Sequence, residues 1–465
     1  MKLRSAGTFQ TLHRALVALG CALVLAFSLA ATSQASAARP LTTGLTDIGN
    51  NWDRAVGANI GIVGVGISWR STAPTRPAQP RNPADPAYDW SAPDAIVRQA
   101  QQRGLPVLMS VTYAPDWAEG PGQDRALFDG TWKPDASAFN DFAHALAQHY
   151  SGNGNLPRVR YFEPWAEPNL PSLLEPQYQH GKPVSPEIYR RLANAFYAGA
   201  KSVRRDNLVI GPALAPFGDP AHNPRFKHPR MRPVRFLRQL LCLKDRRKLK
   251  PVSCPDPVSL DVISHHALGP GPPTRHAINP DDAGTADLGR IMRVVRAAQR
   301  HGTIRPKGIH RKLWATEFWW ISDPPSHRGV RVHIQARWVQ QSLYLYWKAR
   351  AKVAIQQPLR DLPGNPFTGN GLLFSDGRPK PSYTAFSFPF VTDRRSKSKV
   401  LAWGKSPATG TVKIQLRKGH RGWKTVKRRS VRDGEVFKAP LRIRGKAHLR
   451  AKVGSQKSLS WKEKG

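Results

Sequence analysis

The stretch Tyr161-Phe-Glu-Pro-Trp-Ala-Glu-Pro-Asn169 has a counterpart about 150 residues later, Leu313-Trp-Ala-Thr-Glu-Phe-Trp-Trp320. Each is a short apolar and aromatic run, which predicts a buried strand. Each run ends near one glutamate, Glu167 in the first and Glu317 in the second. A carboxylate at the end of a buried strand is costly unless solvent or function accounts for it. The two runs therefore predict a catalytic pair of carboxylates, provided that the fold brings them together.

The chain from about residue 41 to 391 alternates apolar strand-like runs with segments of helical period. One such segment carries Phe139, Phe142, Leu146 and Tyr150 on a single face. The predicted strands are 42–47, 60–69, 106–113, 159–167, 208–214, 260–267, 312–318 and 352–357. Eight strands alternating with about eight helices predict a (β/α)8 TIM barrel. An open doubly wound sheet is the alternative, but no Gly-rich phosphate turn follows the first strand.

Residues 1–37 resemble a secretory signal peptide. Lys2, Arg4 and Arg14 precede an apolar run over 15–31, and Ala35-Ser-Ala37 supplies a cleavage site. The alternative is an uncleaved membrane anchor. No other stretch is long and apolar enough to span a bilayer, so we expect no transmembrane anchor. We expect a secreted, extracellular protein, with a barrel domain over residues 38–391.

The last part of the chain, residues 394–465, differs in composition. Short alternating runs at 411–416, 423–426, 436–441 and 448–453, separated by Gly-containing turns, predict a small β-sandwich accessory domain. The tail holds about 23 Lys and Arg against three acidic residues, in a chain of formal net charge +41. Such charge attracts anionic polymers, for example an acidic cell-wall glycan. The alternative is a solubilising domain without a partner.

Nucleic-acid binding is a function that the sequence supports less well. Charge alone would suggest a nucleic-acid binder, but no nucleic-acid-binding fold motif is present, so we expect no nucleic-acid partner.

Export leaves two cysteines, Cys242 and Cys254, which we predict to close a short disulfide loop. The nearest histidines complete no zinc-ligand spacing. We expect neither a metal ion nor a cofactor.

Several motifs resemble one family. Trp165-Ala-Glu-Pro-Asn169 resembles the W-N-E-P-N signature of clan GH-A, the retaining β-glycosidases that include the cellulase-like and β-xylosidase-like barrels of glycoside hydrolase families 5 and 39. Trp314-Ala-Thr-Glu-Phe318 resembles the nucleophile strand of that clan. The segments Tyr88-Asp-Trp90, Pro115-Asp-Trp117 and Gly371–Gly377 fit the same pattern. The resemblance covers about residues 41–391 and follows the order of the clan.

The resemblance implies a glycoside hydrolase that acts on a β-linked polysaccharide or oligosaccharide. Glu167 would be the general acid/base and Glu317 the nucleophile. Retaining hydrolysis needs two carboxyl groups about 5 Å apart. We expect Glu317 to stay ionised while its surroundings raise the pKa of Glu167. The alternative is a pair of glutamates in structural ion pairs.

Further residues are candidates for contact with the sugar. Trp69, Trp117 and Trp165 lie at or near strand ends, where they either line a sugar cleft or belong to the barrel core. Trp319 directly follows the nucleophile strand and offers a stacking surface. The full expected set is Trp69, Trp117, Trp165, Asn169, His265, His266 and Trp319.

Three departures from the clan pattern stand against full activity. Ala166 replaces the asparagine before the acid/base, Leu268 replaces a tyrosine after the sixth strand, and Gln356 or Gln357 stands where a stacking tryptophan is common. Contacts to the transition state of this kind contribute several kcal/mol. They leave open a second function, a catalytically degenerate barrel that binds carbohydrate at the cell surface.

Overall fold

The computed structural model describes residues 38–220, 227–365 and 367–464. The expected signal peptide, residues 1–37, lies outside the described residues. Residues 40–465 form one compact unit. Within the described part of the chain, no helix is long and apolar enough to cross a membrane.

Eight parallel strands close into a barrel, so the predicted TIM barrel is confirmed. The strands are β1 (Thr42–Leu45), β2 (Ile62–Ser68), β3 (Val107–Thr112), β4 (Tyr161–Pro164), β5 (Leu208–Leu214), β6 (Val262–His266), β7 (Leu313–Phe318) and β8 (Ala351–Gln356). Each strand pairs with the next, and β8 pairs with β1. Side chains from six of the strands fill the barrel interior: Ile62, Leu108, Ile210, Val262, Trp314, Val353 and Ile355.

Helices follow the barrel strands. They are α1 (Trp52–Gly57), α2 (Ser91–Gln101), α3 (Ala136–His149), α4 (Ser185–Val203), α5 (Pro233–Leu240), α6 (Leu288–His301), α7 (Val332–Lys348) and α8 (Pro381–Ser387). The apolar face predicted for α3 is buried at Phe139, Phe142 and Leu146. Asp135 caps this helix by accepting a hydrogen bond from the backbone N–H of Ala138, at 2.6 Å.

Six of the eight barrel strands end one to three residues earlier than the sequence predicted, and two of these ends bear on the candidate site residues. β4 stops at Pro164, because Trp165 and Glu167 adopt left-handed backbone conformations with φ of +67° and +46°. β2 stops at Ser68, whose side chain accepts a hydrogen bond from Ser71 N and so caps a helical turn, Trp69–Thr72. Glu167 therefore lies in the loop after its strand.

Loops of the barrel contain short ribbons and a disulfide, and the disulfide lies between α5 and β6. The ribbons pair Tyr178–Gln179 with Lys182–Pro183, Leu243–Lys244 with Lys250–Pro251, and Ser322–Asp323 with Val330–Arg331. A disulfide joins Cys242 to Cys254 around the second ribbon, with 5.7 Å between the Cα atoms. These are the two cysteines that the sequence analysis paired.

The C-terminal part forms two antiparallel sheets, which confirms the predicted sandwich. Its strands are β9 (Phe390–Arg394), β10 (Lys399–Lys405), β11 (Gly410–Arg417), β12 (Lys424–Val431), β13 (Val436–Arg442), β14 (Ala447–Val453), β15 (Gln456–Lys457) and β16 (Trp461–Glu463). One sheet has the order β9-β10-β13. The other has the order β12-β11-β14-β15, with β16 also paired to β14. The first strand starts at Phe390, four residues before the expected boundary of 394.

The sandwich packs on helix α7 of the barrel. Trp403 lies against Tyr344 and Trp347, with ring centroids 5.5 and 5.9 Å apart. The guanidinium of Arg337 lies 3.8 Å from the ring centroid of Trp461. The barrel and the basic sheets therefore share a packed contact.

Candidate active site

Backbone hydrogen bonds fix the loop that carries Glu167 between its neighbouring strands. Trp165 N donates to Val111 O of β3 at 2.9 Å, and Glu167 N donates to Ala213 O of β5 at 3.0 Å. These two bonds hold the left-handed turn in place and aim the carboxylate of Glu167 across the carboxyl end of the barrel.

Glu317 comes from within β7, where it is in register with His266 at the end of β6. The active sites of this barrel type lie at the carboxyl ends of the strands. Both glutamates lie there, with side chains that are 17% and 20% exposed. The fold thus brings together the two residues that the sequence paired.

His266 lies between the two glutamates. Its Nδ1 is 2.8 Å from Oε1 of Glu167 and 3.6 Å from Oε2 of Glu317. One carboxylate oxygen of each glutamate and one ring nitrogen of His266 all lie within 4.8 Å of one another. The shortest distance between the two carboxyl groups is therefore at most 4.8 Å. Retaining glycosidases hold their two carboxyl groups about 5 Å apart, whereas inverting ones keep them farther apart.

The charges of this triad are coupled. Burial lowers the pKa of His266, but the negative charges of Glu317 and Glu167 and the hydrogen bond to Glu167 outweigh it and raise the pKa to about 9. Burial raises the pKa of Glu317 to about 7, against the opposing charge of His266. The sequence analysis expected a raised pKa on Glu167, whereas burial raises the pKa of Glu317.

By position alone, these three side chains could also hold a metal ion. They are the one such group within the part of the chain that the structure describes. Metal binding requires an unprotonated imidazole nitrogen. With the pKa of His266 at about 9, Nδ1 carries a proton at neutral pH and donates it to Glu167. In that protonation state His266 and Glu167 form a hydrogen-bonded ion pair.

A cleft of about 330 Å³ opens above the triad. Trp319 contributes to its wall, and its indole N–H donates to Oε1 of Glu317 at 2.7 Å. The ring of Trp319 lies 5.2 Å from that of Phe367, which belongs to the loop after β8. Trp319 and His266 are thus the two substrate-contact candidates that the structure brings to the glutamates.

Sequence reasoning missed other residues of the cleft. Asp47 lies just beyond β1, lines the cleft and has a pKa raised by burial, with opposing hydrogen bonds from Thr46 and Gln357. A strand-end carboxylate was the signal that identified Glu167, and the same signal was present at Asp47. The remaining polar residues of the lining come from loops distant in sequence: Arg230, Gln357, Asn365 and Asn370.

Two tryptophans predicted to line the cleft do not reach it. Trp69 is fully buried against α3, with ring centroids 5.1 Å from Phe139 and 5.5 Å from Phe142. Trp165 is also fully buried, and its indole N–H donates to Leu173 O at 2.6 Å. Both rings therefore belong to the core, the alternative that the sequence left open, because their left-handed or helical backbone turns them away from the barrel mouth.

Two further candidates, Asn169 and His265, are held by hydrogen bonds inside the protein. Asn169 is fully buried and joins Ala215 to Met231 through hydrogen bonds to their backbones. His265 is fully buried, its Nε2 donates to Ala283 O at 2.7 Å, and burial lowers its pKa to about 4. These contacts leave neither residue free to bind sugar.

Trp117 lies outside the cleft as well. Its indole N–H donates to Ala73 O at 3.0 Å, its ring meets the edge of Trp69 at 5.7 Å, and the guanidinium of Arg76 covers it at 5.2 Å. It does not line the cavity that contains the glutamates.

The residues that depart from the clan pattern have distinct surroundings. Leu268 lines the cleft. Gln356 is buried, and its amide donates to the backbone oxygens of Gln357 and Asn370, each at 3.0 Å. Gln356 therefore supports the loop after β8 and offers no stacking surface. Beneath the triad, Glu163 accepts a hydrogen bond from Ser110 Oγ at 3.1 Å, and burial raises its pKa.

A larger cavity of about 500 Å³ adjoins the cleft and shares Phe217 with it. It is lined mainly by the loop after β6, with Trp320 and Arg275. It contains neither Glu167 nor Glu317, so the chemistry belongs to the smaller cleft.

No protein-family model matches the chain, and no curated protein matches it. Solved structures do match. A family 39 glycoside hydrolase from the gut symbiont Bacteroides cellulosilyticus WH2 is 17% identical over 87% of this chain and 81% of that one, with a TM-score of 0.52. A glucosidase from Croceicoccus marinus is 12% identical over 88% and 94% of the two chains, with the same TM-score. The chain shares the (β/α)8 barrel fold of these two structures. The resemblance to the clan is thus confirmed in the fold, and at these identities the likeness extends no further.

Proposed function

We propose that this chain is a retaining glycoside hydrolase that cleaves O-glycosidic bonds of a β-linked polysaccharide or oligosaccharide. The observation that supports this most is the pair Glu167 and Glu317, with carboxylate oxygens within 4.8 Å of each other in a cleft at the carboxyl end of the barrel. If Glu167 and Glu317 served only in structural ion pairs, nothing would require both of them to reach the same open cleft.

In the proposed reaction Glu317 attacks the anomeric carbon as a carboxylate. The bond to the leaving oxygen breaks as Glu167 protonates that oxygen, which leaves a covalent glycosyl-enzyme. Glu167, now ionised, takes a proton from water, whose oxygen attacks the anomeric carbon and releases Glu317. Two inversions at one carbon give net retention of configuration.

His266 and Trp319 organise the two carboxyl groups. The imidazolium of His266 donates to Glu167, so a proton for the acid lies one hydrogen bond of 2.8 Å away. The indole N–H of Trp319 fixes one oxygen of Glu317 and opposes the rise of its pKa. The other oxygen of Glu317 is the one left for the anomeric carbon.

The stereochemistry of the first product tests the proposal. The purified protein is screened on aryl β-glycosides and on β-linked polysaccharides, and the anomer released first is followed by proton NMR. The β-anomer is the expected product. An α-anomer formed first would rule out a retaining mechanism on a β-linked substrate.

A degenerate barrel that binds carbohydrate is the second candidate function. Ala166 and Leu268 favour it, because the clan groups that would contact the sugar or the nucleophile are absent at these positions. Calorimetric titration with oligosaccharides distinguishes the two functions. Binding without turnover of any substrate in the screen would support the degenerate barrel, whereas turnover supports the hydrolase.

Export to the extracellular space is part of the proposal and rests on residues 1–37 alone. N-terminal sequencing of protein from the culture medium should start after Ala37. Protein that keeps residues 1–37 and stays with the membrane fraction would instead indicate an uncleaved anchor.

A further inference from the structure

The outer face of the five-stranded sheet is covered by cations. Along β11 and β14 the residues alternate, with Val412, Ile414, Leu449 and Ala451 buried against the other sheet. The residues between them point outward. We call this surface the basic face, and it comprises Lys413, Arg417, Arg428, Arg450, Lys452, Lys457 and Lys462.

Four of these cations form one straight row across the strands. Lys413 is paired with Arg428 of β12 on one side and with Lys452 of β14 on the other. Lys452 is paired with Lys457 of β15. Neighbouring strands lie about 4.8 Å apart, and like charges directly opposite one another destabilise a sheet.

No carboxylate of the described residues offsets this repulsion, since no ion pair involves a member of the basic face. Next to the row, the guanidinium groups of Arg450 and Arg417 lie 4.2 and 5.1 Å from the ring centroid of Trp423. Burial and the charge of Arg417 lower the pKa of Arg450. Within the described structure, Nε of Arg417 and Nδ1 of His448 are buried without a hydrogen-bond partner. A bound anion would relieve the repulsion along the row.

The shape of the basic face selects among polyanions. Insertion into a membrane needs an apolar side, and the row holds no apolar side chain. Single-stranded nucleic acid binds through several stacked bases, yet the aromatic ring beside the row, that of Trp423, already carries two guanidinium groups. A flat row of evenly spaced point charges fits an extended chain with one carboxylate per sugar unit.

We propose that the basic face binds an acidic polysaccharide of the polyuronate class, with the chain lying along the row from Lys457 to Arg428. Binding there is independent of catalysis in the barrel, because the row lies on the sandwich. It would keep the protein on a charged matrix while the cleft acts on its own substrate.

The test compares two fourfold glutamine variants of the full-length protein. One variant removes the row: Lys413→Gln, Arg428→Gln, Lys452→Gln and Lys457→Gln. The matched control removes the same charge from exposed cations on or beside the other sheet: Lys399→Gln, Lys438→Gln, Arg442→Gln and Lys446→Gln. Affinity for polygalacturonate at low salt is measured for both, with its fully methyl-esterified form as the neutral ligand.

The row variant should bind polygalacturonate at least about tenfold more weakly than wild type, while the control changes far less. The esterified polymer should bind none of the proteins. Binding should persist in Glu317→Ala, which separates this result from failure of the proposed hydrolase. If the row variant does not fold, Lys413→Gln with Lys452→Gln replaces it. Equal losses in the two fourfold variants would reduce the effect to net charge and overturn the proposal. Tighter binding of wild type to DNA or to phosphatidylserine vesicles would overturn the assigned partner.

Discussion

His266 Nδ1 lies 2.8 Å from Oε1 of Glu167 and makes the charge of one residue depend on that of the other. The histidine is almost fully buried, so its cation persists only because carboxylates surround it. The pair acts as a unit, and Glu317 at 3.6 Å joins it. The protonation of these three residues therefore affects both the stability of the fold and the charge of the two proposed catalytic carboxyl groups.

The first prediction concerns stability and pH. The folded-state pKa of His266 is about 9, above its ordinary value. Its contribution to the free energy of unfolding is then fully present below pH ~6.5, on the order of 3 kcal/mol, and is lost as pH rises through about 9. In His266→Gln this pH-dependent part should vanish. Urea unfolding of both proteins between pH 5 and pH 10, at about one-unit steps, measures it.

The raised pKa of Glu317 acts in the same direction. A folded-state pKa of about 7 means that the folded protein binds more protons than the unfolded chain between pH ~4.5 and about 7, so stability falls across that window. Wild-type stability should thus decline from about pH 4.5 to 9 in two steps. A stability that rises through pH 6–9 would contradict both assignments.

The second prediction concerns Asp47. Its charge adds to the causes that raise the pKa of Glu317. Since Glu317 must be ionised to attack, kcat/KM should fall as pH drops through about 7. In Asp47→Asn this acidic limb should shift to lower pH, and in the Asp47→Glu control it should stay near its wild-type position. If the acidic limb of the kcat/KM profile does not move in Asp47→Asn, the charge of Asp47 does not raise the pKa of Glu317.

The third prediction concerns the loop that closes one side of the cleft. Lys380 is fully buried, and its ammonium donates to Asp361, to Ser322 Oγ and to Gly369 O. Lys380→Met leaves the carboxylate of Asp361 buried and unpaired, which should cost about 3–5 kcal/mol in unfolding free energy. The double variant Lys380→Met with Asp361→Leu should recover much of that loss. If the double variant does not regain unfolding free energy, the broken ion pair is not the cause of the loss.

The fourth prediction concerns the disulfide. Denatured, unreduced mature protein, which lacks residues 1–37 and so Cys21, should show no free thiol in titration, since Cys242 and Cys254 are joined. Replacing both with alanine should lower the free energy of unfolding by up to about 3 kcal/mol, as expected for a loop of this length. Reducing agent should destabilise wild type and leave the double variant unchanged. Two free thiols in the wild type would refute the pairing.

The barrel could be predicted from the sequence because its strands are buried on both sides and are therefore apolar runs of recognisable length. The two glutamates could be predicted because carboxylates near the ends of such runs are rare. The turn at Trp165 and Glu167 could not, since residues other than glycine seldom adopt positive φ. Hydrogen bonds from the N–H groups of Trp165 and Glu167 to carbonyls of β3 and β5, which are distant in sequence, hold it there.

The direction in which the tryptophan rings point could not be predicted from the sequence either. Trp69 and Trp319 both follow a strand, yet one ring packs under α3 and the other lines the cleft. Sequence spacing does not distinguish the two outcomes, because a strand-end residue faces either the barrel mouth or the helix layer depending on the next few backbone angles. Phe367 reaches the cleft only through the fold of the loop after β8.

The last prediction separates the two glutamates by their roles. Glu317→Ala should lose nearly all activity, because it removes the proposed nucleophile, and added azide should not restore the original anomer. Glu167→Ala should retain more activity on aryl glycosides with good leaving groups, which need less protonation. Its slow step becomes the release of the glycosyl-enzyme, and azide should accelerate that step and give a β-glycosyl azide from a β-glycoside. Rates are measured with and without azide, and the azide product is identified by NMR. Wild-type rates in both variants would remove the pair from the mechanism. A β-glycosyl azide formed by Glu317→Ala and not by Glu167→Ala would exchange the two roles.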